Sequence, residues 1–505
     1  MRWAGPRWPD WPWTSSWSPR RLDRSQGGAP VQGNKRSKPS TPGFADPPSE
    51  AHTRTRPARG RIVASAVSPP HDHERKRASD GRAVMAGIYR RRARRLFAYW
   101  RSEQRTLRQG FVALLISSGG DLLAGLALAS MSNRLALLPG LLVLIPAAIG
   151  MRGNIFGALG SRLGTGIHAG LFDVSRGRRD FVPQNVYASF VLTLATSLFL
   201  GVIARIASAA FGYRSISVWD FVVISILGGV LGSLVVGSAT VAVSILSYRR
   251  GWDLDSVSAP LVTAIGDTCT LPALWAASFL VIRPGAGSGS HVVTLVVGIL
   301  AGGACLVAIT RGLLTDLPLA RRIIRESMVV LFVAGSIDIL AGTAIESRAQ
   351  DFFLRFPALL VLLPAFLEDT GALGGILSSR LSSKLHMGVI EPRRLPQPLA
   401  FLDASLNFLF AISVFTLVAL SAQVISVATG QRSPGVLDML LVSLFAGFLA
   451  TIISSAIAYY GAVASYRFGW DPDNFGIPLV TSMMDLAGTL CLILGTVLFV
   501  GAVHG

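Results

Sequence analysis

Charge is scarce in this 505-residue chain: Asp, Glu, Lys and Arg make up 15% of it, against 51% hydrophobic residues. A soluble protein of this length needs more charge to cover its surface, so the composition excludes that class and indicates a membrane protein. Cysteine is scarcer still. Cys269, Cys305 and Cys491 lie inside apolar runs with no CxxC or ligand-like spacing, which argues against a disulfide framework or a zinc site and for small-residue packing. A P-loop motif is lacking, which speaks against direct drive by ATP. The apolar runs also lack a nucleophile, a metal-ligand cluster or a catalytic His, so the chain reads as no enzyme; a membrane-embedded enzyme acting on lipids is the weaker alternative.

What the chain has is long apolar runs, several near or beyond the roughly 20 residues that cross a bilayer as a helix. Eleven spans are expected, at about 110–132, 136–158, 185–210, 218–247, 258–282, 291–313, 326–345, 356–378, 398–428, 436–464 and 476–502. The fold class is therefore an all-α polytopic membrane protein.

The net charge of +19 resembles a nucleic-acid signal, but residues 1–109 hold 24 Lys+Arg against 8 Asp+Glu and carry most of it. The excess belongs to a hydrophilic tail, and no nucleic-acid partner is expected. Residues 1–84 are rich in Arg, Pro, Ser, Gly and Trp without periodicity and read as disordered. Two readings of that tail stay open: translation starts at Met85, or the tail binds anionic lipid. With the N-terminus inside, the inner loops beyond the tail hold fifteen Lys/Arg and the outer loops six. This bias predicts a cytoplasmic N-terminus and an outer C-terminus in a cell membrane.

The chain repeats itself. LLVLIPAAIGMRGNIFGALGSRLGTGIHAG from Leu141 aligns with LLVLLPAFLEDTGALGGILSSRLSSKLHMG from Leu359, an offset of 218. The same offset aligns YRRGWDLDSVSAPLVTAIGD with YRFGWDPDNFGIPLVTSMMD, and SSGGDLLAG matches AGSIDILAG at 217. Five spans reverse the chain's sidedness, so the extra span at 291–313 restores orientation and the two five-helix repeats come out parallel. The expected division is a tail 1–109, repeat 110–282, linker 283–325 and repeat 326–505. Parallel repeats imply a pseudo-twofold axis along the membrane normal, with any pathway on it lined by equivalent residues.

Acids inside spans are costly and by default mark a pathway or a buried partner. Asp267 and Asp485 follow Pro260 and Pro478 by seven residues, and Thr263 and Thr481 lie four residues earlier on the same helical face. If each helix starts at its proline, each Asp stands roughly 10 Å into the membrane. Two matched carboxylates suit a divalent cation, because Mg²⁺ dehydrates reluctantly and is held through one or two carboxylates plus waters. The bland reading is a partner such as Arg152, or a cap on a broken helix. Asp121 and Asp338 lie mid-span with the same two readings. Glu368 and Asp369 face Gly150 and Met151 in the alignment; they either widen a cation site on one side or offset Arg152. Asp253, Asp255, Asp471 and Asp473 read as a cation-concentrating mouth or as helix caps. His168 and His386 are expected in inner loops, at the surface.

The proline-bearing second span with GMRGNIFGALGSRL, and the fifth span with PLVTAIGD or PLVTSMMDLAGT, resemble the membrane domain of MgtE-type magnesium transporters over about residues 110–502. The duplication is similar to the animal solute-carrier family of Mg²⁺ transporters. The resemblance implies that the family's pore aspartate corresponds to Asp267 and Asp485, and its Gly-Asn to Gly153 and Asn154. It also implies an ion path that MgtE homodimers build at their interface, made here within one pseudo-dimeric polypeptide. The second half departs from the pattern with Gly371 and Ala372. No stretch reads as the cytosolic N-domain or paired CBS domains of bacterial MgtE proteins, so gating by them is not expected. The expected function is transport of divalent cations, chiefly Mg²⁺ as the transported ion, with no organic cofactor; Na⁺- or H⁺-coupled exchange is the alternative.

Overall fold

The computed structural model describes residues 96–172, 177–250, 254–281, 289–468 and 477–504. The tail with Met85, the segments around Trp252 and Trp470, and Asp253, Asp471 and Asp473 lie outside the described residues, as does the side chain of Asp255. The described residues form helices and no strands. In chain order they are α1 (Gln104–Ser130), α2 (Ser132–Leu137), α3 (Leu141–His168), α4 (Phe181–Ala210), α5 (Val218–Arg250), α6 (Leu254–Val281), α7 (Gly289–Leu313) and α8 (Pro318–Glu346). After a single π-helical turn at Ala349–Phe353 come α9 (Ala358–His386), α10 (Pro398–Ala428), α11 (Val436–Phe468) and α12 (Ile477–His504). Eleven of them are long and apolar enough to cross a membrane, which makes the chain a polytopic all-α membrane protein.

Several ends fall elsewhere than expected. α3 and α9 run on to His168 and His386, so these histidines close helices and do not sit in loops, although both are exposed. In each of these extra turns an arginine has a partner on the next helix. Arg162 Nε donates to Asn185 Oδ1 at 3.0 Å, and Arg380 Nη2 to Asp403 Oδ1 at 2.9 Å. α6 begins six residues before Pro260, which therefore lies within the helix and leaves one carbonyl without its i+4 donor. Pro478, in contrast, stands in the first turn of the described α12.

The repeat offset survives in the chain's stop signals. Gly170 and Gly388 terminate α3 and α9 with φ of 69° and 70°; Gly212 and Gly430 terminate α4 and α10 with φ of 73° and 71°. Left-handed φ is cheap only for glycine. The following residue then donates back five positions, as Leu171 N does to Gly166 O and Val389 N to Lys384 O, both at 2.9 Å.

The two halves exchange their first helices. α1 packs against α9, and α8 packs against α3. Each crossing is closed by a glycine: Gly125 rests on the backbone of Val361, and Gly342 on the backbone of Val143, so tightly that a Cβ at either would overlap the facing carbonyl. Small residues let helices approach where lipid is as apolar as any side chain. The proline-bearing helices α3 and α9 form the centre, with 67% and 78% of their apolar windows buried; α7 has 22% and lies outermost, packed on α4 and α5. An eleventh span without a counterpart is thus added at the periphery, where Leu194, Val222, Ile226 and Cys305 seat it. All three cysteines are free.

Candidate functional site

Between the halves lies a cavity of ≈ 660 Å³. Its walls are α3 and α9, with α6 and α12 closing the sides and Ala113, Leu114 and Ser117 of α1 at one edge. The lining residues come in pairs at the repeat offset: Gly153 with Gly371, Asn154 with Ala372, Gly157 with Gly375, Ser161 with Ser379, Thr263 with Thr481, and Asp267 with Asp485. Small residues at these positions keep the space open; a Cβ at Gly153, Gly157 or Gly375 would meet nothing within 4 Å.

Of the residues singled out in the sequence, Asp267, Asp485, Thr263, Thr481, Gly153, Asn154 and Glu368 line this cavity. Asp121, Asp338 and Asp369 do not; all three are fully buried behind it, at 0% exposure. The two groups nonetheless meet. The Asp121 and Asp267 carboxyls stand within hydrogen-bonding reach of one another. A Cβ on Gly150 would stand 3.0 Å from Asp338 Oδ2 and 3.5 Å from Asp485 Oδ2. Asp121 Oδ1, Asp267 Oδ2 and both oxygens of Asp338 have no hydrogen-bond partner among the described residues. Unpartnered carboxylate oxygens at this depth carry a desolvation cost that a cation or a proton removes.

Arg152 lies near enough to Asp267 for the two charges to interact, but its hydrogen bonds go to backbone carbonyls. Its Nη2 donates to Gly228 O at 2.7 Å and its Nη1 to Ala148 O at 3.2 Å, and among the described residues it forms no ion pair. Of the two readings of Glu368 and Asp369, the one in which they offset Arg152 finds no ion pair among the described residues, where its guanidinium meets backbone carbonyls. Asp369 accepts from Ser118 Oγ at 2.8 Å. The halves also touch through Thr481, whose hydroxyl lies 3.4 Å from Asn154 Oδ1. Among the described residues, no three His, Cys, Asp or Glu converge tightly enough to chelate a bare metal ion.

The sequence did not signal a second charged assembly, near the ends of α9 and α10. Asp403 accepts from Arg380, from Lys384 Nζ at 2.5 Å and from Tyr99 OH at 2.6 Å, while Glu103 meets Arg380 at 3.2 Å. Trp100 Nε1 adds a bond to Ser405 Oγ at 3.0 Å. The cluster ties the segment before α1 onto the second half. Burial first, and then the neighbouring Asp403 carboxylate, push the Tyr99 hydroxyl above the ordinary tyrosine range. Asp403 is the counterpart of Asn185 at the repeat offset, and that Asn-to-Asp difference beside an Arg was the signal available.

A duplicated helical membrane protein with a carboxylate-lined cavity between its halves is the class defined by these features. The family model MgtE, a divalent cation transporter, matches residues 145–277 and again residues 363–495. The chain belongs to this family, in duplicated form. It is 26% identical to rat solute carrier family 41 member 3 over 406 residues, which is 76% of this chain and 85% of that protein. Human solute carrier family 41 member 2 is 25% identical over 372 residues, 70% of this chain and 63% of the relative. A eukaryotic MATE transporter of known structure aligns over 79% of this chain and 96% of its own with a TM-score of 0.31 and 13% identity, a level at which no shared fold follows.

Proposed function

We propose that this protein carries Mg²⁺ across a cell membrane through the cavity between its two repeats, with Asp267 and Asp485 as the carboxylates that attract the ion. The observation that carries the reading is the paired lining, in which matched residues from both halves, including the two aspartates, border one space. Membership of a divalent cation transporter family supports the ion class.

Mg²⁺ keeps most of its water, and its sites use one or two carboxylates rather than a closed cage. The absence of a tight chelating triad among the described residues fits an ion held through its waters. Thr263, Thr481 and Asn154, which line the cavity, supply neutral oxygens for that shell. Asp121 and Asp338 add negative potential from behind. On this reading residues 110–282 and 326–505 are the repeats, 283–325 joins them, and the N-terminus is cytoplasmic.

The test is Mg²⁺ flux into proteoliposomes with and without a Na⁺ or H⁺ gradient. Flux that needs only the Mg²⁺ gradient defines a channel, and flux that follows the second gradient defines an exchanger. Absence of divalent cation flux in the folded wild-type protein overturns the proposal.

A further inference from the structure

Arg162 and Arg380 correspond at the repeat offset, but their charges are met differently. Arg380 is paired with the carboxylates of Asp403 and Glu103. Arg162 has Asn185 in place of Asp403, and it takes part in no ion pair among the described residues. Its Nε donates to Asn185 Oδ1 at 3.0 Å, while its Nη2 is buried and has no hydrogen-bond partner among the described residues. A half-buried guanidinium without a counter-charge keeps much of the cost of its lost solvation.

The same arginine lines a crevice between α3, α4, α8 and α12, bordered also by Asn154, Leu192, Ser327 and Pro478. No acid lines it. Asn154 and Pro478 border the large cavity as well, so the crevice lies against the wall of that cavity. Asn154 keeps its Oδ1 for the Thr481 hydroxyl, 3.4 Å away, and offers the crevice its amide N–H. Ser327 adds a hydroxyl, so all three polar side chains can donate. The second half has closed the equivalent place. Phe410 stands there for Leu192 and Ala372 for Asn154. Gly110 stands for Ser327, at the offset of 217 that relates α1 to α8, and a Cβ on it would lie 3.1 Å from the Phe410 ring.

We propose that the crevice is an anion site and that its occupant is chloride. Charge sets the sign, because a guanidinium without a counter-ion and two further donors face a space that no carboxylate enters. Size sets the species. The space is ≈ 10 Å³, about that of one water, which shuts out phosphate, a carboxylate or a lipid headgroup and leaves a monatomic ion. Chloride then does for Arg162 what Asp403 does for Arg380. It also takes the Asn154 amide N–H and leaves the Asn154 oxygen to Thr481 at the cavity wall. The site does not depend on the transport reading above.

The experiment follows thermal unfolding of the full chain in detergent at constant ionic strength, as sodium chloride replaces sodium gluconate, whose anion is too large for the crevice. Chloride raises the wild-type transition saturably, by about 1–2 °C, through mass action on the folded state. Asn185→Asp gives Arg162 the carboxylate that Arg380 already has; this variant is at least as stable as the wild type in gluconate, and its chloride shift is lost. Leu192→Phe, the residue of the second half, fills the space and loses the shift too. Equal wild-type transitions in the two salts mean that water alone fills the crevice, and that result overturns the inference. A chloride shift that persists in both variants places the ion elsewhere and overturns it as well. The readout needs no flux, so wild-type protein that shows the shift but carries no Mg²⁺ overturns the transport reading alone.

Discussion

Gly125 of α1 lies directly on the backbone of Val361 in α9, and the same contact recurs between Gly342 of α8 and Val143 of α3. Each half thus holds the other by its first helix. Gly125→Leu should separate α1 from α9 and destabilise the fold by roughly 1–3 kcal/mol or more, the cost of overpacking a filled interface. Thermal unfolding in detergent should show a lowered transition for Gly125→Leu and for Gly342→Leu alike. An unchanged transition in either would mean that the crossing is looser than the contacts indicate.

The open glycines allow the cavity to be probed without damage. Gly153→Cys and Gly375→Cys have empty space at their Cβ positions and should fold normally. A hydrophilic thiol reagent should label both, and Mg²⁺ at saturating concentration should slow the labelling. Gly150→Cys, which faces the Asp338 and Asp485 carboxylates, should label more slowly because a thiolate forms poorly beside acids. Equal labelling at a lipid-facing control on α7 would show that the reagent reads the membrane surface instead.

Asp267→Ala combined with Asp485→Ala should abolish Mg²⁺ flux in a folded protein. Retained wild-type flux would return both aspartates to a structural role and move attention to Asp121, Asp338 and the Glu368–Asp369 pair.

Asp403 has a fully buried carboxylate that serves Arg380, Lys384 and Tyr99 at once. Removing it as Asp403→Ala leaves two cations facing each other at 19% side-chain exposure, and loss of one partner from such a cluster costs on the order of 3–5 kcal/mol when fully buried and less here. Asp403→Asn, the residue of the first half at this place, should be milder. Differential scanning of the two variants gives the order directly.

Tyr99 supplies a pH signature. Its hydroxyl ionises later in the folded protein than in the unfolded chain, so its contribution to stability is intact below the ordinary tyrosine value of about 10 and falls away as pH rises beyond it. The absorbance rise of tyrosinate at alkaline pH should lose its latest component in Tyr99→Phe, and stability above pH of about 10 should become less steep with pH. Loss of a component near pH of about 10 instead of the latest one would place Tyr99 in solvent.

Much of this protein was legible in its sequence because the features concerned are local. The number of spans follows from apolar length, and the repeat from one offset held across motifs. The acids at 121, 267, 338, 368, 369 and 485 stood out because charge within a span is rare. What the sequence left open is which way each side chain faces. In water an apolar stripe marks the inner side of a helix, but in a bilayer lipid and protein are equally apolar and the stripe fades. Only the packed structure therefore decided that Asp267, Asp485 and Glu368 border the cavity while Asp121, Asp338 and Asp369 stand behind it. It alone decided that Arg152 is met by carbonyls and that the first helices change places. Most of these depend on contacts between residues far apart in the chain, 76 positions for Arg152 with Gly228 and 236 for Gly125 with Val361, where neither spacing nor periodicity carries information.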